Sequence, residues 1–323
     1  MIDRRTLLAL GAATLAAPAL AQAPFPGRPI RLVVAFPPGG PTDVVARILA
    51  ERMGRDLGQP IIVENRGGAN GNIAAEAVAK AEPDGYTYLY NTSSIAISRA
   101  LYKTLPYDLL RDLTPVSLTA ASPLALVVNP GLPPRTPAEF IAWVKANPGK
   151  FSYSSGGVGN ISHLVSFLVL RHIGGDAVHV PYRGTAAALT DTAAGNVQFT
   201  SDTVVTALPL IQDNRVRAIA VSSAERTPLL PEVPAMAEAG LMPAGFDVGA
   251  WQGILAPAKA PAAATARMNA AVGVALADPE VRAKLAAQGA RPTGGSPADY
   301  TAYLTSEIAL WTKVVQESGA TAD

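Results

Sequence analysis

Residues 30–49, IRLVVAFPPGGPTDVVARIL, place an apolar run before a proline- and glycine-rich turn and a helical pattern. The run over 30–36 predicts a β-strand, and the apolar spacing from Val44 predicts a helix. A glycine turn between a strand and a helix leaves the first helical N–H groups unpaired at the positive end of the helix dipole. The turn at residues 37–43 therefore predicts a site for a small anion.

The same arrangement returns in the second half of the chain. The strand-like residues 151–153 lead into SSGGVGN at 154–160, and a helical pattern follows from Ile161. Neither turn has the G-x-x-x-x-G-K-[ST] pattern of a phosphate-binding loop, and the first strand is not followed by G-x-G-x-x-G. Turns without a lysine suit a carboxylate better than a triphosphate. Two of them predict a cleft that holds a small anion from both sides, although glycine and proline also mark ordinary strand-to-helix connections.

Strand-like runs alternate with alanine-rich helical runs, which is typical of an α/β protein built from β-α-β units. The predicted strands are residues 30–36, 61–63, 86–90, 124–128, 177–180, 197–200 and 216–221. The predicted helices are residues 73–80, 137–146, 162–172, 186–194, 262–277, 279–288 and 297–317. The chain of 323 residues exceeds the size that one core usually serves, so two lobes are expected.

The N-terminus predicts export. Arg4 and Arg5 precede a weakly apolar stretch of 14 residues, 7–20, and the alanines at 19, 21 and 23 offer cleavage sites of the A-x-A kind. A membrane span needs about 20 predominantly apolar residues, so we interpret residues 1–23 as a signal peptide cleaved near Ala23, which predicts a periplasmic protein. The paired arginines resemble a twin-arginine signal, and the choice between that route and general secretion stays open.

Composition excludes several classes of function. Loss of residues 1–23 removes Asp3, Arg4 and Arg5 and leaves a formally neutral protein, which has no basic field to attract nucleic acid or anionic lipid. The 49% of apolar residues is typical of a packed globular protein, and the absence of cysteine excludes disulfides and a thiol nucleophile. The chain has no G-x-S-x-G or S-x-x-K motif, and its histidines lack zinc spacing. An exported hydrolase is therefore only the rival hypothesis, and we expect no catalytic residue, metal or cofactor.

Several motifs resemble those of one family. They are residues 30–43, VENRGGANG at 63–71, PDGYT at 83–87, YSSGGVGNISHL at 153–164, HVPYRG at 179–184 and RAIAV at 217–221. Together they resemble the Bug proteins, which are the extracytoplasmic receptors of tripartite tricarboxylate transporters. The resemblance covers essentially the whole mature chain.

The resemblance implies a two-lobed periplasmic binding protein fold of type II, a Venus flytrap with two crossover strands. We expect lobe 1 to comprise residues 24–120 and 252–323 and lobe 2 residues 121–251, with crossings near 116–128 and 248–257. The implied function is capture of a small carboxylate, namely a di- or tricarboxylate, an aromatic acid or an acidic amino acid. The expected partners are the membrane subunits of the transporter, and the receptor itself is expected to be a monomer. Presentation of the ligand to a sensor is the alternative.

The resemblance also implies the ligand site. The expected ligand-binding residues are Pro38, Gly39, Gly40, Pro41, Thr42, Ser93, Ser154, Ser155, Gly156, Gly157, Asn160, Tyr182, Thr185 and Asp202. Asp43 is interpreted as a helix-capping carboxylate. Asp202 is expected just after a strand, either as a helix cap or as a partner for a ligand ammonium or ring N–H group. His163 is interpreted as a packed core residue, and Arg183 as a structural or lobe-closing residue with direct ligand contact as the alternative.

Overall fold

The computed structural model describes residues 25–322, and the predicted signal peptide lies outside them. The strands are β1 (Ile30–Val34), β2 (Ile61–Asn65), β3 (Thr87–Thr92), β4 (Leu113–Val128), β5 (Ser152–Ser155), β6 (Val178–Pro181), β7 (Phe199–Thr203), β8 (Arg217–Val221), β9 (Gly249–Pro257) and β10 (Arg291–Pro292). The helices are α1 (Pro41–Leu57), α2 (Asn72–Ala79), α3 (Ser94–Leu101), α4 (Leu109–Asp112), α5 (Pro137–Ala146), α6 (Ile161–Ile173), α7 (Thr185–Ala194), α8 (Val204–Gln212), α9 (Ala262–Ala277), α10 (Pro279–Ala287) and α11 (Pro297–Ser318). Within residues 25–322, no helix is both long enough and apolar enough to cross a membrane.

These strands form one curled mixed sheet in the order β2-β1-β3-β9-β4-β7-β5-β6, and β8 and β10 also pair with β4. The first lobe is built on the parallel strands β2, β1 and β3, and the second lobe on the parallel strands β7, β5 and β6. The antiparallel strands β9 and β4 lie between the two parallel sets. The α/β fold with two lobes predicted from the sequence is confirmed.

Strand β4 is common to both lobes. Residues 113–123 pair with β9, whereas residues 124–128 lie between β7 and β8. The change of partner falls between Pro123, which is opposite Gly249, and Leu124, which is opposite Thr203. The division of the chain predicted at 120/121 and 251/252 stays a prediction.

Ser222 hydrogen-bonds the second connection between the lobes, at Val248, to β4 at Leu124. Its Oγ donates to the Val248 carbonyl at 2.5 Å and accepts the Leu124 N–H at 2.8 Å. Its backbone carbonyl accepts the Val248 N–H at 3.0 Å. Because Ser222 is fully buried, these bonds do not compete with water, and the two connections lie side by side.

The strand pattern identified only residues 124–128 of β4, whereas the crossing near 116–128 implied by the family resemblance covers most of that strand. The strand pattern also misplaced β7. The first half of β4 contains Pro115, which cannot donate to a strand ladder, and register shifts between 115 and 117 and between 118 and 120 interrupt its pairing with β9. Strand β7 covers residues 199–203 instead of the predicted 197–200, so Asp202 lies within the strand and not after it. Helices α3, α4 and α8 were not predicted.

Helix α11 packs a buried carboxylate against the central sheet. Glu307 Oε2 accepts the indole N–H of Trp251 at 2.6 Å and that of Trp311 at 2.8 Å. Burial raises the pKa of Glu307, and the two indole bonds only partly offset this effect. Glu317, near the end of the helix, pairs with Arg171 of α6, so α11 contacts both lobes.

Gly253 on β9 provides a test of this packing. A Cβ atom there would lie 2.4 Å from Tyr300 Oη, and Tyr300 is fully buried on α11. We expect Gly253→Ala to lower the free energy of unfolding by about 1–3 kcal/mol because the tyrosine must shift. Gly273→Ala on α9 is the matched control, since no atom lies within 4 Å of its Cβ position. The control should be stabilising by about 0.5–1 kcal/mol. Urea unfolding measures both, and equal effects would contradict the packing.

Candidate functional site

A cavity of about 380 Å³ lies between the lobes, close to both glycine turns. Six of the predicted site residues line it: Pro41, Thr42, Ser93, Asn160, Thr185 and Asp202. Most other lining groups are neutral hydroxyls and amides, on Asn70, Thr92, Ser94, Ser122, Thr203, Thr206 and Gln252. Among the described residues that line the cavity, Asp202 is the one ionisable side chain, so none of them provides a cationic side chain for an anion.

The first turn opens helix α1 toward this cavity. Gly40 is the N-cap residue with φ of −76°, and Pro41 is the first helical residue. The N–H groups of Thr42 and Asp43 have no acceptor within the helix because they belong to its first turn. Pro41 and Thr42 line the cavity, whereas Pro38, Gly39 and Gly40 do not.

Asp43 holds the first turn in place. Its Oδ2 accepts the Gly39 N–H at 2.9 Å and Arg47 Nε at 2.9 Å, and its Oδ1 accepts Asn65 Nδ2 at 2.8 Å. Burial alone would raise the pKa of Asp43, but these bonds outweigh burial and the net pKa is lowered. Asp43 therefore holds the turn before the helix, and the capping interpretation is wrong in detail because no side chain of the described residues caps the first N–H groups of α1. Gly39, with φ of +80°, needs the freedom of glycine.

The second turn is held mainly by its own side chains. Asn160 is the N-cap of α6, and its Oδ1 accepts the Ser162 N–H at 3.0 Å. The Gly156 N–H donates to Ser162 Oγ at 2.9 Å, and the Gly157 N–H donates to Ser155 Oγ at 3.2 Å. Asn160 lines the cavity, but Ser155, Gly156 and Gly157 do not.

Two further predicted residues use their hydroxyl groups inside the second lobe. Ser154 is fully buried, donates to the Ala188 carbonyl at 3.1 Å and lies 2.9 Å from Thr192 Oγ1. Tyr182 donates to Asp191 Oδ2 at 2.5 Å, and this bond raises the pKa of Tyr182 to about 12. The structure does not bring these hydroxyls to the cavity, and ligand contact by either residue stays a prediction. Arg183 is exposed and is also outside the cavity lining.

Asp202 differs from its predicted setting. It lies within β7 opposite Ala125 of β4, and the N-cap of α8 is Thr203, which has no side-chain capping bond. Asp202 Oδ1 accepts the Thr203 N–H at 2.7 Å, whereas Oδ2 is buried without a hydrogen-bond partner among the described residues. The helix-cap interpretation is therefore wrong. Burial raises the pKa of Asp202 to about 7, although bonds from Thr203 and Thr185 oppose this effect.

Gln252 is a cavity residue that the sequence did not reveal. Its Oε1 accepts Tyr90 Oη at 2.8 Å, and Tyr90 Oη also lies 3.0 Å from Thr119 Oγ1. This buried network orients the glutamine amide, whose remaining donors are on the nitrogen. Because Tyr90, Thr119 and Gln252 lie on three different strands, no local sequence pattern could have identified their contact.

His163 and His179 form a stacked pair behind the second turn. Their ring centroids are 3.7 Å apart and their planes are parallel within 1°. His163 Nδ1 accepts the Gly159 N–H at 3.2 Å, and His179 Nε2 lies 2.7 Å from Ser155 Oγ. Burial lowers the pKa of His163 to about 3 and that of His179 to about 4. Two neutral histidines thus support the turn, and the interpretation of His163 as a packed core residue agrees with this arrangement.

Comparison with known proteins identifies a family match. The family model described as tripartite tricarboxylate transporter family receptor matches residues 45–320. Protein BugT of Bordetella pertussis is 37% identical over 313 residues, which is 96% of this chain and 95% of BugT.

Solved structures with bound carboxylates have the same fold. The Rhodopseudomonas palustris protein Rpa4515 with adipate is 36% identical, with a TM-score of 0.81 over 92% of this chain and 99% of that chain. MatC from Rhodopseudomonas palustris with bound malate is 37% identical, with a TM-score of 0.76 over 90% of this chain and 100% of that chain.

The histidine pair predicts a pH effect on stability. His163 binds a proton in the unfolded chain near its ordinary pKa of 6.5 but only near pH 3 when folded. Its stabilising contribution is therefore complete above pH 6.5 and is lost as the pH falls, at up to about 1.4 kcal/mol per pH unit. His163→Asn keeps an acceptor for the Gly159 N–H. Between pH 7 and pH 5, its free energy of unfolding should fall by about 2 kcal/mol less than that of the parent protein.

Urea unfolding at both pH values measures this difference. The raised pKa values of Asp202 and Glu307 increase the free energy of unfolding as the pH falls, which is the opposite effect. Because both groups are present in the variant and in the parent protein, their effects cancel in the comparison. His172→Asn, at an exposed position of the same helix, is the control and should behave like the parent protein. An unchanged pH effect in His163→Asn would contradict the assignment.

Proposed function

This chain belongs to the tripartite tricarboxylate transporter receptor family, and we propose that it captures a small carboxylate in the cavity between its lobes. The observation that carries the proposal is the start of α1, where Pro41 and Thr42 line a cavity that is rich in hydroxyl and amide groups. Free N–H groups at a helix start favour an anion. A carboxylate can therefore bind there without a lysine or arginine.

The volume of the cavity and the ligands bound to two relatives indicate which small carboxylates to expect. A volume of about 380 Å³ is at the small end for ligand sites. Adipate and malate, which are bound to two structural relatives, are small dicarboxylates. We favour a dicarboxylate of four to six carbon atoms over an aromatic acid or an acidic amino acid.

The N-terminal sequence and the family support a role outside the cytoplasm. Residues 1–23 have the character of a cleaved signal peptide, so the proposed location is the periplasm. The proposed partners are the membrane subunits of a tripartite tricarboxylate transporter, with a monomeric receptor that delivers ligand to them. Presentation of the ligand to a sensor would use the same cavity and a different outer surface.

A hydrolase is not supported by the described residues. Ser155 Oγ and His179 Nε2 lie 2.7 Å apart, as in a nucleophile–base pair. However, neither residue lines the cavity, and within residues 25–322 no carboxylate hydrogen-bonds to His179. The serine hydroxyl is also bonded to Gly157, so the pair serves to hold the turn.

Ligand-induced stabilisation tests the proposal. A carboxylate at 100 times its Kd should stabilise the protein by about 2.7 kcal/mol, which raises the Tm by about 4 °C in a chain of this size. We expect adipate, malate or a related dicarboxylate to produce this shift in a thermal melt. A shift with sugars or cations alone would contradict the proposal.

Thr42 links that binding to the first turn. Thr42→Val removes the hydroxyl at constant shape and should weaken binding about tenfold, or about 1.4 kcal/mol. Thr42→Ser keeps the hydroxyl and is the matched control, with an affinity within about threefold of the parent protein. Isothermal titration calorimetry measures both variants. Equal affinities would place the ligand away from Thr42.

A Venus flytrap is expected to close its lobes on the ligand, and this closure can be tested at Gly159, which contacts the first lobe. A Cβ atom there would lie 2.4 Å from Leu101 Cδ2, which belongs to α3 of the first lobe. Gly174 has almost the same φ, +70° compared with +71°, but no atom lies within 4 Å of its Cβ position. Both alanine variants should lose about 1–2 kcal/mol of stability from the left-handed backbone. Only Gly159→Ala should also weaken ligand binding by tenfold or more, as measured by calorimetry. Equal binding by the two variants would exclude this contact from closure.

A further inference from the structure

Asp202 is a buried carboxyl group that lines the cavity, and one of its oxygens has no hydrogen-bond partner among the described residues. The residue is 3% exposed, and it is the one ionisable group of the cavity lining. Oδ1 accepts the Thr203 N–H at 2.7 Å, whereas Oδ2 has no hydrogen-bond partner among the described residues. An unpartnered buried oxygen is costly, so this arrangement requires an explanation.

The two oxygens fit a protonated carboxyl group better than an ionised one. A carboxylate needs hydrogen-bond donors on both oxygens, whereas a carboxylic acid has one accepting oxygen and one O–H donor. Thr203 serves the accepting oxygen, Thr185 adds a second hydrogen bond to the carboxyl group, and Oδ2, which has no partner of its own, corresponds to the O–H. Burial raises the pKa of Asp202 to about 7, which makes the protonated form accessible under ordinary conditions.

We propose that Asp202 is protonated in the ligand complex and donates its Oδ2–H to a carboxylate oxygen of the bound ligand. Where Asp202 is ionised in the free protein, the proton comes from the solvent when the ligand binds and returns to it when the ligand leaves, so the uptake per captured anion rises toward one proton as the pH increases. This inference rests on the proposed function, because it requires a carboxylate ligand. It assigns to the cavity a dicarboxylate with one group at the start of α1 and the other at Asp202.

The surroundings of Asp202 do not offer another group that titrates in this way. Strand β4 and helix α8, which flank it, contain no ionisable side chains. Helix α7 carries only Asp191, which accepts from Tyr182. Across the cavity, Asp43 is held ionised by Arg47.

One arginine and two histidines lie near the second turn. The exposed Arg183 is outside the cavity lining. His163 and His179 are neutral above about pH 5, because burial keeps their pKa values at about 3 and about 4. A change in ligand affinity above pH 6.5 therefore reports on Asp202.

Proton uptake has a specific effect on affinity. Only the protonated fraction of the free protein is competent to bind a second carboxylate, so the apparent Kd rises as this fraction falls. With half-protonation near pH 7, the Kd should rise roughly twentyfold between pH 6.5 and 8.5. A ligand that presents an ammonium group to Asp202 would instead bind more tightly at the higher pH.

The experiment is isothermal titration calorimetry with adipate and with malate, whose carboxyl groups are both ionised over this range. Titrations at pH 6.5 and 8.5 in two buffers of different ionisation enthalpy give the Kd and the number of protons taken up. We expect the twentyfold rise and an uptake approaching one proton at pH 8.5. In Asp202→Asn, whose amide donates at any pH, the two Kd values should differ less than twofold and the uptake should vanish. Asp213→Asn, at an exposed carboxylate after α8, is the control and should keep both effects.

The outcomes separate this inference from the proposed function. Tight binding of either dicarboxylate with no proton uptake and no pH effect would overturn the inference and leave the proposed function intact. Retention of both effects in Asp202→Asn would also overturn it, by assigning the proton to another group. No binding by any small carboxylate at pH 6.5 would overturn the proposed function and the inference with it. If Asp202→Asn fails to fold, the proton uptake of the unmodified protein decides.

Discussion

The shared strand β4 is the constraint on which both halves of the molecule depend. Residues 113–123 complete the first lobe and residues 124–128 complete the second, so neither sheet is whole without it. The bonds of the buried Ser222 fix the return connection at the same place. The two lobes are therefore joined at Pro123–Leu124, and the cavity lies beside this junction at Ser122 and Asp202.

The described residues that line the cavity include no cationic side chain to balance the charge of a bound anion. An anion in such a site is stabilised by fixed dipoles, namely the first turn of α1 and the hydroxyl and amide groups of the lining. Lysine or arginine in their place would attract any anion from a distance, including phosphate and sulfate. Dipoles act at short range and depend on direction, so this lining favours an anion whose shape matches the positions of the donors.

The sequence predicted those parts of the molecule that depend on neighbouring residues. Apolar runs and glycine turns identified β1, α1 and the second turn, because strand and helix periods are local properties. The strand pattern did not identify the bulged first half of β4, which only the family resemblance indicated, since Pro115 interrupts the pattern and pairing with β9 holds the segment extended. Of the predicted site residues, Thr42, Ser93 and Asp202 lie at the cavity, but Ser154 and Tyr182 use their hydroxyls elsewhere. Tertiary packing determines where a side chain points and which residue of another strand it contacts, as Gln252 contacts Tyr90. A single sequence gives no information about such contacts.

The pairing of Trp251 and Trp311 with Glu307 has a practical consequence for observing the protein at work. Both indoles are buried with their N–H groups bonded to one carboxylate on α11, on the side of β9 opposite to Ala250 and Gln252, which line the cavity. Their emission therefore depends on how α11 packs its carboxylate against β9, away from the cavity lining. The native fluorescence of these two residues is thus a gauge of folding, and an optical probe of capture has to be attached on the cavity side of the same strand, at Ala250.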